Sequence, residues 1–184
     1  MNRMTRAVAG LSFGLVATAG VAGAQDMGPT RAVSFGIAAG ATVPTGDLGD
    51  FYGTGFNVMG TLGYQPVAMP VGLRFDVAWH SLGLNDDFDF EDADDLRIIS
   101  GTANAVLSVS NTGGIKPYVL GGVGLYNYDA GGDSETKFGL NGGGGLEFQL
   151  AGFSTFLEAR YHHAFTDDDE GAVQFIPVVF GVKF

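Results

Sequence analysis

In residues 173–184 one face is apolar at every second position, Ile176, Val178, Phe180, Val182 and Phe184, and ends on an aromatic. Successive side chains of a strand point to opposite sides, so this run is expected to form a strand with a continuous apolar face that ends on an aromatic. The same period recurs in seven earlier segments. Residues 32–43 set Val33, Phe35, Ile37, Ala39, Ala41 and Val43 against Ser34, Gly36, Ala38, Gly40 and Thr42. Residues 54–65 set Phe56, Val58, Leu62 and Tyr64 against Asn57, Met59, Thr61 and Gln65, and residues 71–82 set Val71, Leu73, Phe75, Val77 and Trp79 against Arg74, Asp76 and His80. Further strands are expected over 97–109, 115–128, 138–150 and 153–165. In 115–128 both faces hold apolar residues, which leaves its phase open.

Alternation alone does not say which face points inward, because a soluble ligand-binding barrel has the same period with its apolar side chains inside. The composition of the polar face decides. A soluble exterior is rich in Lys and Glu, whereas this face is mostly Gly, Ser, Ala, Thr and Asn, groups small enough for the lumen of an eight-stranded barrel. The aliphatic and aromatic face then belongs to lipid. Only a closed sheet satisfies every strand N–H and C=O without water, so strands facing lipid must close on themselves. The expected fold is all-β, an eight-stranded antiparallel up-and-down transmembrane β-barrel.

The connections fall into two alternating classes, as that topology requires. Residues 66–70, 110–114 and Ala151-Gly152 are short, whereas 45–53, 83–96, 129–137 and 166–172 are longer and polar. In outer-membrane barrels the short turns face the periplasm and the long loops face outside. Trp79, Tyr126, Tyr128, Tyr161 and Phe165 are expected as an aromatic girdle at the long-loop rim, with Tyr64, Phe153 and Phe184 at the other. Thirty-one glycines suit tight curvature in a narrow barrel. The glycine run 142–145 is not a phosphate loop, because no Lys-Ser/Thr follows and Phe138, Leu140, Leu146 and Phe148 carry the alternation through it. No cofactor is implied.

Export is written at the start of the chain. Arg3 and Arg6 precede a fifteen-residue apolar stretch, 7–21, and Ala22-Gly23-Ala24 has the small-x-small form of a cleavage site. The stretch is too short and too glycine-rich for a membrane-spanning helix. A signal peptide over 1–24 and a barrel domain over 25–184 are therefore expected, with no further domain after Phe184. Arg3 and Arg6 are two of nine basic residues, so the exported part carries seven bases against twenty acids, a formal charge of −13. Such an acidic chain is no partner for nucleic acid. Cysteine is absent, which excludes disulfides and thiolate chemistry.

Gly46-Asp47-Leu48, Lys116-Pro117-Tyr118 with Gly122 and Gly124, Phe138-Gly139-Leu140-Asn141 with Gly143 and Gly145, Glu158-Ala159-Arg160-Tyr161 and the terminal Phe184 carry a family resemblance. The chain resembles the small outer-membrane β-barrel domain proteins, the OmpA/OmpX-like eight-stranded group. The resemblance implies outer-membrane lipid and lipopolysaccharide as surroundings, recognition of Phe184 by the barrel-assembly machinery, and an extracellular ligand or surface partner. It specifies function poorly, since members include adhesins and structural proteins.

Asp76, Glu147 and Glu158 are the acidic residues that fall within strands, on lumen faces shared by Arg74 and Arg160. These five are expected to form an ion-pair network that plugs the lumen. A narrow channel or amphiphile conduit is the alternative. A lipid A-modifying enzyme is a third reading, with His80-Ser81 or His162-His163 and Glu158 as candidates. Geometry disfavours it: neighbouring strand residues diverge, and Glu158 lies about 13 Å along the strand from His162. No catalytic residue is assigned. Asp86, Asp87, Asp89, Glu91, Asp92, Asp94 and Asp95 crowd the second long loop around Phe88 and Phe90, and Asp167, Asp168, Asp169 and Glu170 crowd the fourth. They are weak candidates for divalent cation contact, because the arrangement lacks the central glycine and terminal Glu of an EF-hand. The acidic loops with their two aromatics are also the motive for a surface-interaction role.

Overall fold

The structure, a computed structural model, describes residues 33–66, 69–84, 95–109, 113–130, 133–166 and 172–184. The expected signal peptide and the acidic runs 86–94 and 167–170 lie outside the described residues.

Eight strands follow one another as β1 (Val33–Thr45), β2 (Gly55–Tyr64), β3 (Val71–Leu82), β4 (Leu96–Ser108), β5 (Ile115–Ala130), β6 (Asp133–Gln149), β7 (Ser154–Ala164) and β8 (Val173–Lys183). Each pairs antiparallel with the next, and β8 pairs with β1 to close the barrel. In that closing seam Ala39 stands opposite Phe180 and Val43 opposite Ile176. Reciprocal backbone bonds between Phe35 and Phe184, 3.1 and 2.8 Å long, extend it to the short-turn end. Closure leaves no edge strand to template aggregation.

The alternation sorts side chains as an inverted protein. Ile37 is 68% exposed and Val77 65%, whereas Arg160 and Asp76 are each 3% exposed. An apolar outer face over this many strands is stable only against lipid, since monomers in water rarely expose apolar patches of more than a few hundred Å². β5 resolves its phase by putting Val119, Val123 and Leu125 outside and Tyr118, Leu120 and Tyr126 inside.

Tyr126 and Tyr128 depart from the expected rim girdle. Tyr126 is fully buried and Tyr128 half-buried, because the phase of β5 turns even-numbered positions inward. Outward aromatics do occupy both rims: Tyr161 and Phe165 on the long-loop side, and Phe35, Phe153 and Phe184 on the other, with the Phe35 and Phe184 rings stacked at 5.4 Å. The expected loop 129–137 is also largely strand. β5 and β6 stay paired out to Ala130 and Asp133, and Asn127 Nδ2 donates to Ser134 Oγ and Thr136 Oγ1 at 2.9 Å each. Polar composition suggested a loop, but cross-strand side-chain bonds extend a ladder as readily as apolar pairs do.

The first long connection holds a short helix, α1 (Asp47–Phe51). Gly46 before it has φ of 60°, a left-handed conformation open to glycine at little cost. Leu48 and Tyr52 pack on a buried cluster of Leu82, Leu96, Ile98, Tyr126, Ala164 and Phe175 at the long-loop end of the lumen. Several inward positions there are large and apolar, against the expectation of small polar groups, although Lys137 and Ser100, both opposite Tyr126, are buried among them.

Candidate functional site

β3 and β7 stand opposite each other across the ring, and each offers two inward charges two residues apart. Arg74 and Asp76 come from β3, Glu158 and Arg160 from β7. Arg74 makes a bidentate pair with Glu158, Nη1 to Oε2 at 2.7 Å and Nη2 to Oε1 at 2.8 Å, and its Nε donates to Asp76 Oδ2 at 3.1 Å. Arg160 completes the cycle, with Nη1 to Asp76 Oδ2 at 2.9 Å and Nη2 to Glu158 Oε1 at 2.5 Å. Each guanidinium thus meets both carboxylates, and the four formal charges cancel. Tyr118 Oη donates to Glu158 Oε2 at 2.7 Å, and Asn104 Nδ2 donates to Asp76 Oδ2 at 2.9 Å. Planar guanidinium forks suit this arrangement because they match carboxylates bidentately.

Glycine makes the room. A Cβ on Gly145 would lie 2.6 Å from Tyr118 Oη and 2.5 Å from the Leu157 carbonyl. The bare backbone of β6 is therefore what lets the Tyr118 ring reach Glu158.

Glu147 does not join this cycle. It sits closer to the short-turn end, opposite Lys116 in the β5–β6 register, and pairs with Lys183 of β8. Lys183 was not among the residues expected in the lumen. Its inward position became clear only from the phase of β8.

The histidines form a second group above the charges. His80 is 1% exposed and His162 3%. Thr42 Oγ1 lies 2.8 Å from His80 Nδ1 and accepts a bond from Asn57 Nδ2 at 2.9 Å. Tyr126 Oη lies 2.8 Å from His162 Nδ1, and the His162 ring stacks on Phe175 at 4.8 Å. In the sequence His80 and His162 belong to two separate candidate groups, His80-Ser81 and His162-His163 with Glu158. β3 and β7 face each other across the ring, and there the two inward rings come to 6.4 Å, centroid to centroid. Ser81 points away from His80 to the outer face, and His163 lies outside beside Tyr161 and Phe165. Thr42, the hydroxyl that does reach His80, is fully buried and presents no access for a substrate. Among the candidates for divalent cation contact, Asp95 is exposed; Asp86, Asp87, Asp89, Glu91, Asp92 and Asp94 lie outside the described residues.

Solved structures share this architecture at low identity. Neisserial surface protein A is 20% identical with a TM-score of 0.61, over 82% of this chain and 94% of that one. The outer membrane protein OprG from Pseudomonas aeruginosa is 16% identical at 0.54, over 83% and 96%. The outer membrane enzyme PagL is 17% identical at 0.51, over 82% and 98%. No curated protein matches. These likenesses establish the fold, and one of the three is an enzyme, so the fold by itself does not assign a role. The family described as outer membrane protein beta-barrel domain matches residues 11–184. The resemblance carried by Gly46-Asp47-Leu48, Lys116-Pro117-Tyr118, Glu158-Ala159-Arg160-Tyr161 and Phe184 therefore holds, and the chain belongs to the outer membrane protein beta-barrel domain family.

Proposed function

We propose that this barrel is a non-catalytic scaffold of the bacterial outer membrane that displays its acidic loops on the cell surface for interaction with an extracellular partner. The observation that carries this reading is the filled lumen: Asp76, Glu158 and Arg160 of the charge cycle, the two histidines and the cluster around Tyr126 and Phe175 are buried, and Arg74 is partly buried beneath them. Eight strands enclose an interior only just wide enough for side chains. Among the described residues neither a transport path nor an accessible nucleophile beside His80 or His162 is left, which disfavours both the channel and the lipid A-modifying reading.

After removal of residues 1–24, the domain 25–184 has lipid and lipopolysaccharide against its apolar outer face. Phe184 serves recognition by the barrel-assembly machinery. The acidic runs 86–95 and 167–170 meet the medium, where divalent cations bridge them weakly to lipid phosphates.

The absence of cysteine makes orientation directly testable. A membrane-impermeant maleimide applied to intact cells is expected to label Asp89→Cys and to label Ala151→Cys only after permeabilisation. The opposite pattern overturns the surface display of the long loops. Expression is expected to leave lipid A acylation unchanged by mass spectrometry, and a changed acyl pattern that His162→Ala abolishes would establish catalysis instead.

A further inference from the structure

Below the charged cycle, at the short-turn end, the lumen opens into a cavity of about 460 Å³. That volume falls within the range of small-molecule sites. Its lining runs against the charge of the chain. Arg74, Lys116 and Lys183 all line it, whereas Glu147 is the one acidic side chain lining it among the described residues. Arg74 is already neutralised within the cycle, and Glu147 is taken by Lys183. Lys116 stands opposite Glu147 in register yet makes no ion pair among the described residues. Two ammonium groups thus flank a single acidic side chain, and Lys116 is left without an ion pair among the described residues. Ser34 and Ser108 add hydroxyl donors to the lining, while Val106 and Phe156 supply apolar surface beside them.

We propose that this cavity binds a small amphiphilic oxyanion, a carboxylate or phosphate ester with a short apolar body. Lys116 is the principal cation for its head, and Val106 and Phe156 face its tail. The filled lumen above makes the site a one-ended pocket and not a conduit. Glu147 holds Lys183 and limits the positive charge of the site.

The test uses the isotope-labelled barrel purified in zwitterionic detergent micelles, with amide chemical shifts followed by NMR. Sodium octanoate is expected to give saturable shifts at Ser34, Lys116, Glu147 and Lys183. Lys116→Gln is expected to weaken octanoate about tenfold, the loss of one charge-assisted hydrogen bond. Lys116→Arg should restore it, and Glu147→Gln should tighten it by uncovering the second cation. Heat-dependent gel mobility checks that each variant is folded; if Lys116→Gln does not fold, the gain in Glu147→Gln carries the test. Equal binding of octylammonium, or shifts confined to lipid-facing residues such as Phe35 and Val119 with no dependence on residues 116 or 147, overturns the proposal. Inorganic phosphate binding as tightly as octanoate overturns the assignment of an apolar body.

Discussion

At the scale of single residues, the energetics centre on four charges held in the lumen, three of them almost wholly removed from water. Removing two ions from water costs several kcal/mol each, and only close pairing with further hydrogen bonds offsets this. The cycle meets that condition, since Glu158 accepts from Arg74, Arg160 and Tyr118 together. Glu158→Gln leaves two guanidiniums facing Asp76 alone. The expected cost is about 3–5 kcal/mol of unfolding free energy, the range for breaking a buried pair. Urea unfolding of the detergent-folded protein, followed by heat-dependent gel mobility, measures it; a loss below about 1 kcal/mol, the range of exposed pairs, contradicts the buried cycle. Replacing the four charges together by apolar groups is a different experiment, because it removes the desolvation cost along with the attraction.

At the scale of strands, alternation does the sorting, and one position shows it cleanly. Val77 lies mid-strand on the outer face of β3, directly after the inward Asp76. Arginine at Val77 would enter lipid while the same group at neighbouring inward positions finds carboxylates. Val77→Arg is expected to cost about 2–4 kcal/mol near the bilayer midplane, measured by equilibrium unfolding from lipid vesicles. A neutral result would mean that this face does not meet hydrocarbon. The faces of β1 to β3 were legible in the sequence because Phe35, Ile37, Phe75 and Val77 alternate with small or charged residues. β5 was not legible, since Tyr118, Leu120 and Tyr126 sit inside for packing and hydrogen bonding while Val119, Val123 and Leu125 sit outside for lipid, and the two apolar sets look alike. The same ambiguity hid the large apolar side chains at the long-loop end, where Ile98 points in and Ile99 out. Pairing between opposite strands is a property of register and curvature. Inward spacing therefore led to the expectation of an ion-pair network, but not to which charges pair, so Glu147 was wrongly included and Lys183 missed, and His80 and His162 were left unconnected.

At the scale of the whole molecule, the ring has an outer surface matched to lipid and an interior whose layers differ. An apolar cap and histidine layer lie at the long-loop end, a charge cycle in the middle, and a cavity at the short-turn end. The first two layers are closely packed among the described residues, which supports the proposed reading of the barrel as a plugged scaffold. Conductance tests that claim most directly. Purified protein in a planar bilayer at physiological salt is expected to give no large stable openings across the voltage range the membrane tolerates. Large, long-lived openings that Glu158→Gln or Arg160→Gln alters in size would show that ions cross the charge cycle, and would contradict the plugged lumen.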